Sequence, residues 1–435
     1  MARPTSRRTF VKTSALAGVG FWAAGGVARA QSNSPNEKIQ FASIGVTGKG
    51  SSDSEDAGQN GDMVAICDID DKNLAAGAAR FPSAEKFHDF REMLDKMGDK
   101  IDAVTVSTPD HCHAVAAYKA MSMGKHCFCQ KPLTHSIYEA RRLGEVAREK
   151  GVATQMGNQG TSEDGVRKAA ALLQAGVIGT VKEVHVWTNR PIWPQGGPRP
   201  AESPIPSNLK WELWLGPAAY RPYSNGYHPF AWRGWWDFGT GALGDMACHT
   251  FNMPFMGLGL KNPTSVVAKT AGHNKDSYPK WSIIDFEFPA NDTRPALKVS
   301  WYDGGKLPDV AMFGEGRAPK DSGCLIVGDQ GKIYSPNDYG AEFELIDAEM
   351  KDVEFKKSPG HFDEWVNAIR GGEQAMSNFS DYAGPLSETI LLGNLAVWAD
   401  GKKIEWDAKN LKATNAPEVD SIIKNVYRDG YTIDG

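Results

Sequence analysis

Lys131, Asp245 and His249 are the residues whose chemistry demands most of the fold. Lys131 stands in Cys129-Gln130-Lys131-Pro132, directly after an apolar run. A lysine at the rim of a buried sheet is partly desolvated, which lowers its pKa toward the range useful for proton transfer. A snorkelling surface lysine is the bland alternative. Asp245 and His249 stand four apart in GTGALGDMACH, so a helix puts them on one face. There the carboxylate can orient the imidazole and raise its basicity, which is acid/base machinery. Its bland counterpart is a helix N-terminal acid beside a buried histidine. Gly239, Gly241 and Gly244 loosen the backbone ahead of that helix.

A second group of residues suits a nucleotide. Gly45, Thr47, Gly48 and Gly50 form a turn after an apolar strand, in the place where a dinucleotide fingerprint carries its glycines. Thr47 occupies the middle-glycine position, where a Cβ crowds the pyrophosphate, and Gly48 can shift the turn by one residue. Asp68 ends the next strand, 18 residues past Gly50, the spacing of the acid that accepts from the adenosine ribose hydroxyls. A carboxylate there repels a 2′-phosphate and favours NAD over NADP. Ser107, Thr108 and Pro109 end a further strand, and ligands of open α/β sheets bind beyond such ends. His111 and His113 follow, as ligands or as helix-start residues.

The elements that must position these groups change rhythm near Asn158. Before it, KIQFASIGV, DMVAICDID, IDAVTVSTP, KHCFCQKP and VATQMGN read as short apolar strands alternating with helices. That pattern implies a parallel sheet covered on both faces. Helices through HAVAAYKAMSMG and SIYEARRLGEVAREKG stop at Gly124 and Gly151, both suited to a left-handed C′ position. After it, KEVHVWTN, SVVAKTAG, SIIDFEF, ALKVSWYDG, CLIVGD and GKIYS alternate with period two. They predict a largely antiparallel sheet with one covered face. The fold class is thus α/β followed by α+β, with a nucleotide-binding domain over 31–157 and a substrate-binding domain over 158–435. Two late stretches, SPGHFDEWVNAIRGGEQ and GPLSETILLGNLAVWADG, read as packing helices.

Residues 1–30 carry Arg7-Arg8, a short apolar run and Ala28-Arg29-Ala30, which reads as a twin-arginine signal peptide. The expected location is therefore the periplasm or another exported site, reached after folding. The run is too short to span a bilayer, and the mature chain is expected to have no membrane partner. A net charge of −5 over 435 residues gives nothing to attract nucleic acid. The six cysteines are expected to be reduced and buried, since Cys127 and Cys129 share one strand and point the same way. No tight ligand spacing calls for a metal.

Seven tryptophans, at 187, 193, 211, 214, 232, 235 and 236, fall within fifty residues. Aromatic faces pack on the C–H faces of sugars, so a carbohydrate is the natural substrate class; core or interface packing is the alternative. Trp193, Trp235 and Trp236 are the candidate lining, with Asn158, Arg190, Tyr227, His228 and Arg233 beside them.

In three motifs taken in order, the chain resembles the Gfo/Idh/MocA oxidoreductases: the glycine turn with Asp68, Gln130-Lys131-Pro132, and Gly239 through Asp245 to His249. The resemblance implies a Rossmann domain that holds NAD(P) with Gly45, Thr47, Gly48, Gly50, Asp68, Ser107, Thr108, Pro109, His113, Gln130 and Lys131. It implies a second domain whose open sheet joins copies into a homo-oligomer. It also implies Lys131, Asp245 and His249 as the catalytic trio. His249 is then the base on the substrate hydroxyl, Lys131 polarises that oxygen, and Asp245 supports both. Three positions depart from the family pattern: Gln130 stands for a glutamate, Thr47 for a glycine, and Thr240 for one glycine of a triple.

The expected reaction is NAD(P)-dependent oxidation of a hydroxyl on a sugar, polyol or glycoside. An exported enzyme has little free dinucleotide to exchange, so the cofactor is expected to stay bound through a redox-neutral cycle. Two alternatives remain open at this level. One is a cofactor-assisted or metal-dependent glycoside-cleaving enzyme, with His111, His113, His228, Asp245, Cys248 and His249 as possible zinc ligands. The other is a non-catalytic periplasmic sugar-binding protein on a degenerate Rossmann frame.

Overall fold

The computed structural model describes residues 38–434. The signal segment expected over 1–30 lies outside the described residues. No helix among the described residues is long and apolar enough to cross a membrane.

The first sheet holds β1 (Ile39–Ile44), β2 (Gly61–Cys67), β3 (Glu85–Phe87), β4 (Ala103–Val106), β5 (His126–Cys129) and β6 (Thr154–Met156). All pairs are parallel and the order is β3-β2-β1-β4-β5-β6. β4 and β5 are buried along their whole length, as strands covered on both faces must be. The order reverses between β1 and β4, and the crevice outside their carboxyl ends is where an open α/β sheet takes its ligand. Gly45 follows β1 and Ser107 follows β4, so the two candidate loops meet there.

The helices of this half obey their local signals. Ser136 and Glu139 form a reciprocal capping box at the start of Ile137–Lys150, and Gly151 closes it at φ +63°. The helix predicted through HAVAAYKAMSMG starts three residues earlier, at Asp110, with Pro109 as its cap, and Gly124 beyond it has φ +76°. The polar stretch after the glycine turn is also a full helix, Lys49–Asn60.

The second sheet has nine strands: β7 (Val181–Trp187), β8 (Ser265–Thr270), β9 (Ser282–Phe288), β10 (Leu297–Tyr302), β11 (Gly323–Gly328), β12 (Lys332–Ser335), β13 (Glu344–Ile346), β14 (Ile404–Asp407) and β15 (Lys412–Ala413). Their order is β13-β12-β11-β7-β10-β9-β8-β14-β15, with β7–β10 the parallel pair and the rest antiparallel. Helices Gly241–Thr250, Asn252–Leu258 and Gly384–Trp398 cover one face. On the other face His185 Nδ1 meets the Tyr302 hydroxyl at 2.9 Å, and Ser300 donates to Asp285 at 2.6 Å.

The late helix His361–Ile369 crosses back to the first sheet. Its Phe362, Trp365 and Val366 pack with Phe41 and Phe128, and Trp365 Nε1 donates to the Ala153 carbonyl at 3.0 Å. Trp365 is fully buried, and truncating it to alanine costs about 3–5 kcal/mol. All six cysteines are buried and unpaired, and burial pushes the Cys248 and Cys324 thiols up to about 12.

Candidate active site

A cavity of about 760 Å³ runs from the glycine turn to the helix Gly241–Thr250. Its size suits a small-molecule ligand, for which pockets run roughly 300–1,000 Å³. Gly45, Thr47, Gly48, Asp68, Ser107, Thr108, Pro109, Gln130 and Lys131 line one part. Asp245, His249, Arg190, Trp193, His228 and Arg233 line the other.

The nucleotide half fits a dinucleotide on its own geometry. Gly45 has φ +80°, and a Cβ there would stand 2.5 Å from the Ser107 carbonyl oxygen. A Cβ on Gly50 would lie 2.2 Å from the Gly45 carbonyl oxygen, so Gly50 serves close packing of helix on turn rather than the cavity. Gly48 caps the helix at φ +58° and leaves open space where a side chain would be. The positive end of a twelve-residue helix thus opens onto the cavity, as anion binding requires. Asp68 accepts from the Val46 and Asp70 N–H groups at 3.2 and 3.1 Å and from Asn73 at 3.3 Å. Burial pushes its carboxyl up, partly offset by those donors.

Below the turn lies a group that sequence reasoning missed. Asp53, 1% exposed, accepts from Gln130 Nε2 at 2.8 Å and from Ser107 Oγ at 2.7 Å. Lys49 pairs with its other oxygen at 3.1 Å. The signal was a helix almost devoid of apolar residues: its buried positions are Gly50, Asp53, Ser54 and Ala57. Gln130 is here the neutral donor to an acid on the neighbouring helix.

In the other half, Lys131 Nζ donates to Asp245 Oδ1 at 2.7 Å and to the Asp245 carbonyl at 2.8 Å. Arg233 Nε lies 3.1 Å from the same carboxylate oxygen, in ion-pair contact without hydrogen-bond alignment. Burial pushes Asp245 upward, but the Lys131 and Arg233 charges outweigh it and hold the carboxyl well below the usual range. Asp110, fully buried, accepts from Thr240 at 2.6 Å and faces Arg233 at 3.9 Å. Thr240, where the family carries glycine, thus ties the two halves together.

His249 is buried, and its Nδ1 has no hydrogen-bond partner among the described residues. Burial, then the Lys131 charge, pushes the imidazole well below its usual value, so it is neutral. The Asp245 carboxylate engages Lys131 and Arg233 rather than the imidazole that the shared helical face brings near. The unpredicted contact is Tyr339, whose ring meets His249 edge-on at 4.8 Å from the loop after β12.

Several candidates lie elsewhere. His113 does not line the cavity: its ring nitrogens meet the carbonyls of Pro132 at 2.8 Å and Thr108 at 2.7 Å. It braces the two loops that do. Asn158 is fully buried, bonded to Ser377 at 2.6 Å. Tyr227 and Trp235 belong to a separate aromatic cluster and meet edge-on at 5.3 Å. Trp236 stacks on Tyr278 at 3.8 Å inside the main core. Of the three candidate tryptophans Trp193 alone reaches the cavity, because Trp235 packs within the long connection and Trp236 in the main core. His111 is held between the Phe238 and Trp214 carbonyls, and His361 bonds to Ser162 and Met156 away from the cavity. Among the described residues no three His, Cys, Asp or Glu side chains gather as a metal-ligand set.

The family described as "Oxidoreductase family, NAD-binding Rossmann fold" matches residues 30–158, and its "C-terminal alpha/beta domain" matches 165–433, more than half of the chain. This chain belongs to the Gfo/Idh/MocA oxidoreductase family. Its Rossmann-type sheet and mostly antiparallel second sheet are those of the family's solved structures. The WlbA dehydrogenase of Bordetella pertussis, in complex with NADH and UDP-GlcNAcA, superposes with a TM-score of 0.60 at 18% identity over 85% of this chain and 99% of that one. A levoglucosan dehydrogenase, in complex with NADH and levoglucosan, gives 0.58 at 17% identity over 84% and 99%. At these identities the likeness is one of fold.

Among curated relatives, scyllo-inositol 2-dehydrogenase (NAD(+)) of Bacillus subtilis is 33% identical over 60% of this chain and 63% of its own. The levoglucosan dehydrogenase of Pseudarthrobacter phenanthrenivorans is 25% identical over 43% and 40%. The chain spans 27% of the length of an uncharacterised oxidoreductase of Streptococcus pneumoniae and 30% of a dihydroxycyclohexadiene dehydrogenase of Comamonas testosteroni.

Proposed function

We propose that this protein is an NAD-dependent oxidoreductase that acts on a hydroxyl of a sugar or polyol. One observation carries the reading. A lysine from the rim of the Rossmann sheet and a neutral histidine from the second domain line one cavity, together with a dinucleotide-type glycine turn and Asp68. The relatives named above, which act on inositol and levoglucosan by their names, support the substrate class. Asp68, a buried acid at the end of β2, supports NAD over NADP.

The bound nicotinamide supplies the two-electron acceptor. The protein's own groups manage the proton and the geometry. Lys131 has three N–H donors, and Asp245 takes two of them. The third is left for the substrate oxygen, whose negative charge it stabilises as the O–H bond breaks. His249, neutral and on the cavity wall, takes that proton. Asp245 fixes Lys131, and Arg233 shares its charge. The two bonds to Asp245 fix Lys131 as a donor at the cavity wall. Trp193, with the Arg233 guanidinium 5.6 Å from its ring centroid, offers a face to the sugar.

Three further readings belong to the proposal. Arg7-Arg8 and the apolar run after it support export by the twin-arginine route, and six reduced, buried cysteines are consistent with folding before export. Export supports a cofactor that stays bound, so that a second carbonyl substrate takes back what the first gave. The extended nine-stranded second sheet supports a homo-oligomer. Incubating the purified protein with a panel of sugars and polyols, with and without added NAD, tests the function. Reduction of nicotinamide by at least one of them is expected, and no reduction across the panel in protein that holds NAD refutes it.

A further inference from the structure

The long connection between β7 and the helix Gly241–Thr250 does not stay with its own domain. Its segment 206–216 docks on the end of β2, next to Asp68. Leu209 forms an antiparallel bridge with Asp70, Asp71 N–H donates to the Asn208 carbonyl at 2.9 Å, and Lys210 N–H donates to the Ile69 carbonyl at 2.9 Å. Asn208 Nδ2 adds a bond to the Asp70 carboxylate at 2.7 Å. The short helix Trp211–Leu215 follows at once and presents Leu213 and Trp214 to the cavity. Trp214 is 3% exposed and stacks on Trp211 at 4.6 Å, yet its indole N–H has no partner among the described residues. Leu213 and Trp214 thus put apolar surface on the cavity wall.

A second segment holds this one down. Arg428, near the end of the chain, donates to the Gly216 carbonyl at 3.0 Å, to the Glu212 carbonyl at 2.9 Å and to the Glu212 carboxylate at 2.7 Å. Its own N–H donates to the Pro217 carbonyl at 3.1 Å. A guanidinium thus caps the free carbonyls at the end of the short helix, where a cation is most effective. Three residues on, Tyr431 lines the cavity, with the Arg91 guanidinium 4.3 Å from its ring centroid.

We propose that the strap 206–216 and the tail 428–431 roof the dinucleotide through Leu213, Trp214 and Tyr431, which line the cavity. Arg428 is the positioning residue that sets how long the cofactor stays. The proposal rests on reading the cavity as the NAD site, and it gives the retained cofactor of that reading a physical cause. A strap tied at one end to β2 and at the other to the tail must release both before the adenosine half can leave.

The test uses the full-length protein. NAD is loaded, excess is removed, and the dinucleotide released over time is quantified by mass spectrometry for the wild type, Arg428→Ala, Arg428→Lys and Asn208→Ala. Loss of charge-assisted bonds on Arg428→Ala is expected to speed release by at least about tenfold. KM for added NAD should rise in proportion, while kcat at saturating NAD changes less than about twofold, a split that a fold defect would not produce. Arg428→Lys, which keeps the charge but loses the planar fork, should fall between. Should Arg428→Ala fail to fold, Asn208→Ala at the other end of the strap carries the same expectation. Release at the wild-type rate from folded variants overturns the roof and leaves the functional reading standing. A wild-type protein that neither holds nor binds NAD overturns that reading and the roof with it.

Discussion

Gln130 Nε2 donates to the Asp53 carboxylate at 2.8 Å, and the next residue, Lys131, donates to Asp245 at 2.7 Å. One peptide unit thus links the acid under the nucleotide turn to the acid on the helix of the second domain. Lys131 with Asp245, Thr240 with Asp110, and Arg233 between both acids join that helix to the first domain.

Restoring the family's glutamate should harm this chain. Gln130→Glu sets a second carboxylate against Asp53 in a buried site, where one of the two must take a proton. A stability loss of about 1–3 kcal/mol is expected in chemical denaturation. The double variant Asp53→Asn, Gln130→Glu re-forms a donor–acceptor pair and should recover most of it; additive losses would contradict the pairing.

Lys131→Met keeps most of the apolar stem and removes its donors. kcat/KM at saturating NAD should fall on the order of 10²–10³-fold, the cost of removing one donor to a developing oxyanion. Steady-state kinetics on a sugar that the wild type oxidises checks this. A variant with unchanged kcat/KM would remove Lys131 from the chemistry.

The pH dependence follows from two depressed groups. His249 accepts a proton only when neutral, and burial with the Lys131 charge lowers its pKa well below that of an ordinary histidine. Activity should therefore persist as pH falls through the usual histidine range and be lost only below it. Asp245 is also held low, against burial, by Lys131 and Arg233. Its stabilisation is fully present above the ordinary carboxylate pKa and is lost as pH falls toward the depressed value. An acid limb of kcat/KM at or above the ordinary histidine pKa would show that His249 is not the base.

Tyr339 closes the wall beside His249 and is contributed by a loop that also places Asp338 3.7 Å from Arg190. Tyr339→Ala should raise KM for the sugar several-fold, with a smaller fall in kcat, because the ring packs against the imidazole without bonding to it. Initial-rate kinetics separates the two effects.

Much of the frame was legible because it is written in local periodicity. β1, β2, β4 and β5 are short apolar runs, and β7 to β12 alternate, so both sheets and their difference in character could be read. β13, β14 and β15 are two to four residues long and paired at the margins, too short to carry a period. The lining of the cavity was legible where a residue follows a strand or repeats along a helix, as Asp68, Lys131, Asp245 and His249 do. It was opaque where tertiary contact decides. Trp235 and Trp236 have the composition of a sugar platform yet pack on Tyr227 and Tyr278. Asp53 stands in a stretch with almost no apolar residues and is nevertheless a buried acceptor. Nothing in the local pattern of Leu209 or Arg428 says that they reach across to the nucleotide side.

The central claim is that one cavity brings NAD to Lys131 and His249. It is tested most directly by loading the purified protein with NAD, removing the excess, and following the near-ultraviolet absorbance of reduced nicotinamide on addition of a sugar substrate. A single-turnover rise is predicted in the wild type, slowed on the order of 10²-fold or more in His249→Ala with NAD still bound. An equal rise in that variant would contradict the account.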